Sequence, residues 1–189
     1  MKLNLETSIG MTGRFRVMSH TGHTYAADGS IVEEGDIIEE TQFGKNLILD
    51  GGLAALLGAT TINCCPVVGS GNAPPLPSDT TLQAYRGKAN VFSVQPTFTY
   101  SDTPDANGML WLRWVFRVTF NPGTLGSGPV IINEAGISLA SAGNTNSTTK
   151  LFSRGLIVDA TSNPTGVALD AANEYLASTS REPPRISTT

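Results

Sequence analysis

From Arg14 to Ser19 the chain alternates: Phe15, Val17 and Ser19 share one parity, and Arg14, Arg16 and Met18 the other. That period of two predicts a strand with one face on a core. A tight hairpin is expected next at Ala27-Asp28-Gly29-Ser30, because an Asp-Gly pair accepts the positive φ angles of a short turn. The return segment from Ile31 to Gln42 breaks at Gly35-Asp36 and carries Glu33, Glu34, Asp36, Glu39 and Glu40. It predicts one or two short strands with an acidic, solvated edge that blocks unwanted strand pairing.

Between Gly44 and Gly58 the period changes. Leu47, Ile48, Leu49, Leu53, Ala54, Leu56 and Leu57 recur near the helical spacing, and Gly58 is placed to end the run, which predicts a helix. Gly51-Gly52 leaves two forms open: a helix whose backbone is approached closely there, or a turn at Gly51 followed by a shorter helix from Leu53 to Leu57. Ile62 to Val68 is an apolar strand closed by Gly69-Ser70-Gly71. The stretch Asn72-Ala73-Pro74-Pro75-Leu76-Pro77-Ser78-Asp79 lacks amide donors at its prolines and is expected as an ordered surface loop. Thr80 to Tyr85 then returns the chain to the fold.

The strongest strand signal is a pair. Phe92, Val94, Phe98 and Tyr100 share one parity, as do Leu110, Leu112, Trp114, Phe116, Val118 and Phe120, with turn residues Asp102 to Gly108 between them. They predict a hairpin whose even-numbered side chains form an aromatic core face. The opposite face mixes Trp111, Arg113, Val115, Arg117 and Thr119, as at a subunit contact. Further strands are expected at Val130 to Leu139, with Ile131, Ala135, Ile137 and Leu139 in phase, at Lys150 to Val158, at Val167 and Leu169, and at Tyr175 to Ser178. Ser141 to Thr149 reads as a loop tip. Together these elements predict a mainly β protein, an antiparallel β-sandwich with one short helix. Residues 1–180 form one sandwich-like domain, and residues 181–189 an extended C-terminal tail. With Pro183-Pro184 and Ile186 as its one large aliphatic residue, the tail is expected to order only against a partner.

Composition narrows the function. At 189 residues the chain is long enough to bury a core without metal or disulfide staples. Charged residues are 15%, a low share, so the surface is largely Ser, Thr, Asn and Gly, which lets wide areas pack on neighbours without desolvating many ions. A net charge of -4 with scattered basic residues argues against nucleic acid as a partner. The close pairs Arg14/Arg16 and Arg113/Arg117 read as solvated faces or ion pairs. No stretch resembles a signal peptide or approaches the roughly 20 apolar residues of a membrane span, so a protein made in the cytoplasm is expected. Cys64 and Cys65 are adjacent and point to opposite faces of an extended strand, which predicts two reduced thiols.

The search for chemistry is negative. Gly69-Ser70-Gly71 has no phosphate-binding lysine and reads as a turn. His20 and His23 would require further ligands to hold a metal. The carboxylate pairs Glu33-Glu34 and Glu39-Glu40 are sequence neighbours, sent to opposite faces of a strand rather than across a cleft. No catalytic, cofactor-binding or metal-binding residue is therefore assigned, and the chain is expected not to be an enzyme.

Four stretches nevertheless occur in a suggestive order: Gly44-Lys45-Asn46-Leu47-Ile48-Leu49-Asp50-Gly51-Gly52-Leu53; Val68-Gly69-Ser70-Gly71-Asn72-Ala73-Pro74-Pro75 with Ser78-Asp79-Thr80-Thr81-Leu82; Ile132-Asn133-Glu134-Ala135-Gly136; and Leu151-Phe152-Ser153-Arg154-Gly155-Leu156. Over residues 43 to 158 this punctuation resembles that of small tail-associated proteins of tailed bacteriophages. The resemblance implies a β-sandwich structural subunit of the virion, in a tail, collar, baseplate or fibre. It implies partners among tail, portal or baseplate subunits, and a homo-oligomer, and it carries no functional residues over. The chain lacks a repetitive shaft, which favours a compact adaptor or collar subunit in a symmetric ring. The alternative is a receptor-binding module of a tail fibre, whose loops, with Trp111 or Tyr100, hold a host surface glycan.

Overall fold

The computed structural model describes residues 7–10, 13–22, 24–28, 31–33, 35–58, 65–89, 91–100, 109–120, 124–126, 129–138, 151–169, 175–180 and 185–188. Its first half runs β1 (Thr7–Gly10), β2 (Gly13–His20), β3 (Thr24–Tyr25), β4 (Ile31–Glu33), β5 (Ile37–Glu40), β6 (Gly44–Ile48), α1 (Asp50–Gly58), β7 (Cys65–Gly69) and β8 (Tyr85–Lys88). The second half runs β9 (Val91–Tyr100), β10 (Met109–Phe120), β11 (Val130–Ile132), β12 (Glu134–Ser138), β13 (Leu151–Leu156), β14 (Val167–Leu169), β15 (Tyr175–Ser180) and β16 (Arg185–Thr188). The fold is mainly β, with one antiparallel sheet that curls on itself in a sandwich-like manner, and one short helix, as expected.

Neighbours in the large sheet are β1, β16, β10, β15, β2, β6, β13, β12, β7 and β8, with β9 beside β10 and β5 beside β2. Thr7 lies opposite Thr188 and His20 opposite Tyr175, one constant register for β1 and β2 against β16 and β15. β10 keeps a single register against the same two strands, from Met109 opposite Ser187 to Phe116 opposite Ser180. This corrects the expectation for the tail: its described part, Arg185–Thr188, is a strand between β1 and β10 of the same chain. Main-chain pairing on both sides supplies the order that its few apolar side chains do not.

The expected hairpin is β9 and β10, with Leu112 opposite Tyr100 and Trp114 opposite Phe98. Its register slips where Val115 faces Thr97 but Arg117 faces Val94. Pro96 lies in that slip, where a residue with no N–H costs no ladder bond. Val118 and Phe120 are buried in the core as their parity predicts.

The main core gathers Phe15 and Val17 of β2, Val118 and Phe120 of β10, Ala135 and Ile137 of β12, and Val130, Ile132, Val167 and Leu169. The last four belong to the small sheet formed by β11 and β14. The expected single strand from Val130 to Leu139 is thus two strands, and the phase changes at Asn133. Ile131 is exposed while Ile132 is buried, which corrects its placement in phase with Ala135 and Ile137. A second cluster, Leu49, Val67, Leu82 and Leu151, lies apart from the main core.

The helical run also divides. Leu47 and Ile48 belong to β6, opposite Arg154 and Ser153 of β13, and the helix begins only at Asp50. Register with β13 overrides the local helical spacing before Leu49, whose amide donates to the Phe152 carbonyl. At Gly52 the close approach expected of the first form is present: a Cβ there would lie 2.3 Å from the Phe152 carbonyl oxygen.

Candidate interaction surface

β12 and β13 each carry one charge in an otherwise small or apolar strand, Glu134 and Arg154. Both are buried. The guanidinium of Arg154 is used in three directions: Nε donates to Glu134 Oε2 at 2.7 Å, Nη1 to Asp79 Oδ2 at 2.7 Å, and Nη2 to the Ala73 carbonyl at 2.9 Å. Glu134 accepts three amides besides, from Gly71 and Ala84 on Oε1 and from Gln83 on Oε2. Burial alone would lower the Arg154 pKa and raise that of Asp79. The two carboxylates outweigh it for Arg154, and the Leu76 amide and Arg154 outweigh it for Asp79, so Arg154 lies above and Asp79 below its ordinary value.

The product of this network is a fixed proline loop. Gln83 Oε1 accepts the amides of Asn72 and Ala73, and the Leu76 and Asp79 backbones close a turn around Pro77-Ser78. The Asp50 amide donates to the Pro77 carbonyl and Leu151 to that of Thr80, which tie the loop to α1 and β13. Gly71 faces the Glu134 carboxylate so closely that a Cβ would meet Oε1 at 2.6 Å. The loop was expected to be ordered, and it holds Leu76 out to solvent at 58% exposure.

Beside the loop lies an open trough. A hollow of about 580 Å³ has Phe43, Leu156 and Val158 as apolar lining, with Pro75 and Pro164 also on its walls. Arg14 and Lys45, cross-strand neighbours on β2 and β6, bring two cations to it. An adjoining hollow of about 370 Å³ shares Leu156 and Pro164 and reaches Asn72 and Thr165. Ser162, on the walls of the larger hollow, sits in a turn closed by Asp159, whose Oδ1 accepts the Thr161 hydroxyl and the Thr161 and Asn163 amides, which hold its pKa down. No family model, no curated protein and no solved structure matches the chain.

The residues weighed in the sequence fall elsewhere. His20 is buried in β2, with Nδ1 2.8 Å from the Thr21 carbonyl, while His23 lies outside the described residues. Among the described residues no cluster of His, Cys, Asp and Glu is arranged for a metal. Cys65 is half-buried, and its thiol is 3.5 Å from the Ala89 carbonyl. Burial pushes that thiol's pKa up against the pull of Lys88, while Cys64 lies outside the described residues. Glu33, Asp36, Glu39 and Glu40 are exposed, as an acidic edge requires, and Glu34 is outside. Arg16 pairs with Glu40 and lies 4.9 Å over the Phe43 ring, a structural tie rather than a ligand site. Trp111 and Tyr100 are strand residues, in β10 and β9, not loop residues as a glycan-binding surface was expected to use them. Among the described residues no helix is long and apolar enough to cross a membrane.

The Asp79–Glu134–Arg154 network had no assigned role in the sequence, although all three residues fall in the stretches that carry the resemblance. The available signal was an unlike pair of charges, each alone inside an apolar, glycine-flanked strand, since buried charges occur in pairs.

Proposed function

We propose that the protein is a structural subunit of a tailed-bacteriophage particle, a tail, collar or baseplate adaptor that works as part of a symmetric ring and has no catalytic role. One observation carries the reading. Three of the four stretches that resemble tail-associated proteins, far apart in sequence, meet at Arg154, and their charged groups hold a proline loop on a curled sheet. A general acid or base keeps a proton-transfer position open to a reacting group. Glu134 instead directs both its oxygens, and Asp79 its Oδ2, to amides and a guanidinium, the arrangement of a scaffold. The neutral, Ser/Thr-rich composition and the exposed proline loop suit broad contacts with neighbouring virion subunits.

The test is to locate the protein. Antibody raised against the purified chain should label one end or the neck of particles purified from lysed cells that carry the gene, and the chain should co-sediment with them. A chain that stays wholly in the supernatant of intact particles would sink the assignment. Labelling at fibre tips with millimolar binding of a host glycan would replace it by the receptor-binding module.

A further inference from the structure

We propose that the edge strand β5 of one copy seats in the trough of a second copy, so that the chain supplies both halves of its own ring contact. The inference rests on the assembly reading above and gives that assembly its interface.

All four residues of β5 are exposed, and its partner among the described strands is β2 alone. Ile37 and Ile38 are adjacent and so lie on opposite faces, at 54 and 53% exposure, and Val32 in the preceding strand is 67% exposed. An aliphatic strand uncovered on both faces is a surface suited to burial against a partner.

Charge selects the partner. Glu40 is tied to Arg16, whereas Asp36 and Glu39 are exposed and carry no ion pair among the described residues. Two such acidic edges repel each other, which disfavours pairing of β5 with its own copy. The trough offers the complement, with the exposed Lys45 beside an apolar lining of Phe43, Leu156 and Val158. A second hollow shares Leu156 and Pro164 with it and extends the open surface to Asn72 and Thr165. A strand cannot fold back into its own trough, because Thr41, directly after β5, is bonded to both the amide and the carbonyl of Val17 and leads straight into β6. The contact is therefore between copies, joins two different patches, and closes into a ring where the rotation permits.

The test uses charge reversal in the full chain. Glu39→Lys and Lys45→Glu both change exposed side chains, and unchanged melting temperatures would show that both variants are folded. By mass photometry the natural chain should form a discrete oligomer at micromolar concentration. Each single reversal should raise the dissociation constant at least about tenfold. A one-to-one mixture of the two variants should recover assembly, because the reversed strand of one meets the reversed trough of the other. A monomeric natural chain, an oligomer indifferent to both reversals, or a mixture no better than its components would each overturn the interface. A chain found in particles yet indifferent to the reversals would leave the virion assignment standing. Charge-dependent assembly by a chain absent from particles would remove the assignment and keep the interface.

Discussion

Glu134 Oε2 and Arg154 Nε lie 2.7 Å apart, with the two side chains at 0% and 3% exposure. Two charges withdrawn from water, with the partly exposed Asp79 beside them, are tolerable only while each compensates the others. Arg154→Met should leave Glu134 buried against amides alone and cost about 3 to 5 kcal/mol in urea unfolding. Arg154→Lys keeps the charge but loses the fork that reaches Glu134, Asp79 and Ala73 together, so it should fall between. A loss below about 1 kcal/mol for the methionine variant, the range of exposed ion pairs, would mean that the network does not hold the loop.

Acid should loosen the same loop. Asp79 has its pKa below the ordinary 3.8, so its contribution is complete above that value and disappears as pH falls through the lower, folded value. Asp159 is lowered too and adds to the same acid limb, so the comparison must isolate Asp79. Asp79→Asn should be less stable than the natural chain at neutral pH, and the gap should narrow below about pH 4. A gap of constant size from pH 7 to pH 3 would contradict the ionic role of Asp79.

The two glycines of α1 should respond in opposite directions. A Cβ at Gly51 would meet nothing within 4 Å, so Gly51→Ala should stabilise by up to about 1 kcal/mol through helix propensity alone. At Gly52 the same methyl collides with the Phe152 backbone, and Gly52→Ala should destabilise by about 1 to 3 kcal/mol. Thermal shifts of the same sign would show that α1 does not pack on β13 as described.

Thr41 stitches the break between β5 and β6. Its hydroxyl accepts the Val17 amide at 2.9 Å and donates to the Val17 carbonyl at 3.1 Å. Thr41→Val preserves shape but orphans a buried amide and should cost about 1 to 3 kcal/mol, whereas Thr41→Ser should retain most of the stability. Equal losses would assign the effect to the methyl group instead.

Local alternation made much of the sheet legible: β2, the β9–β10 hairpin, β14 and β15 lie where period-two patterns placed them, and β13 falls within the strand expected from Lys150 to Val158. Misreadings arose where a distant strand decides. Leu47 and Ile48 have helical spacing with Leu53 but pair with β13, and Ile131 and Ala135 share a parity but belong to strands in different sheets. The order of Arg185–Thr188 was hidden because it comes from main-chain bonds to β1 and β10, to which composition is blind. Glu134 and Arg154 were legible only as members of a resemblance. Nothing within twenty residues of either announces that Asp79 and the proline loop complete the set.

The central claim, a non-catalytic subunit repeated in a phage ring, is tested most directly by counting copies of the chain per purified particle with isotope-labelled reference peptides. A ring subunit should give the same small whole number in every preparation, unchanged by washing in high salt. A chain that is absent, or present at less than one copy per particle and removed by washing, would contradict it.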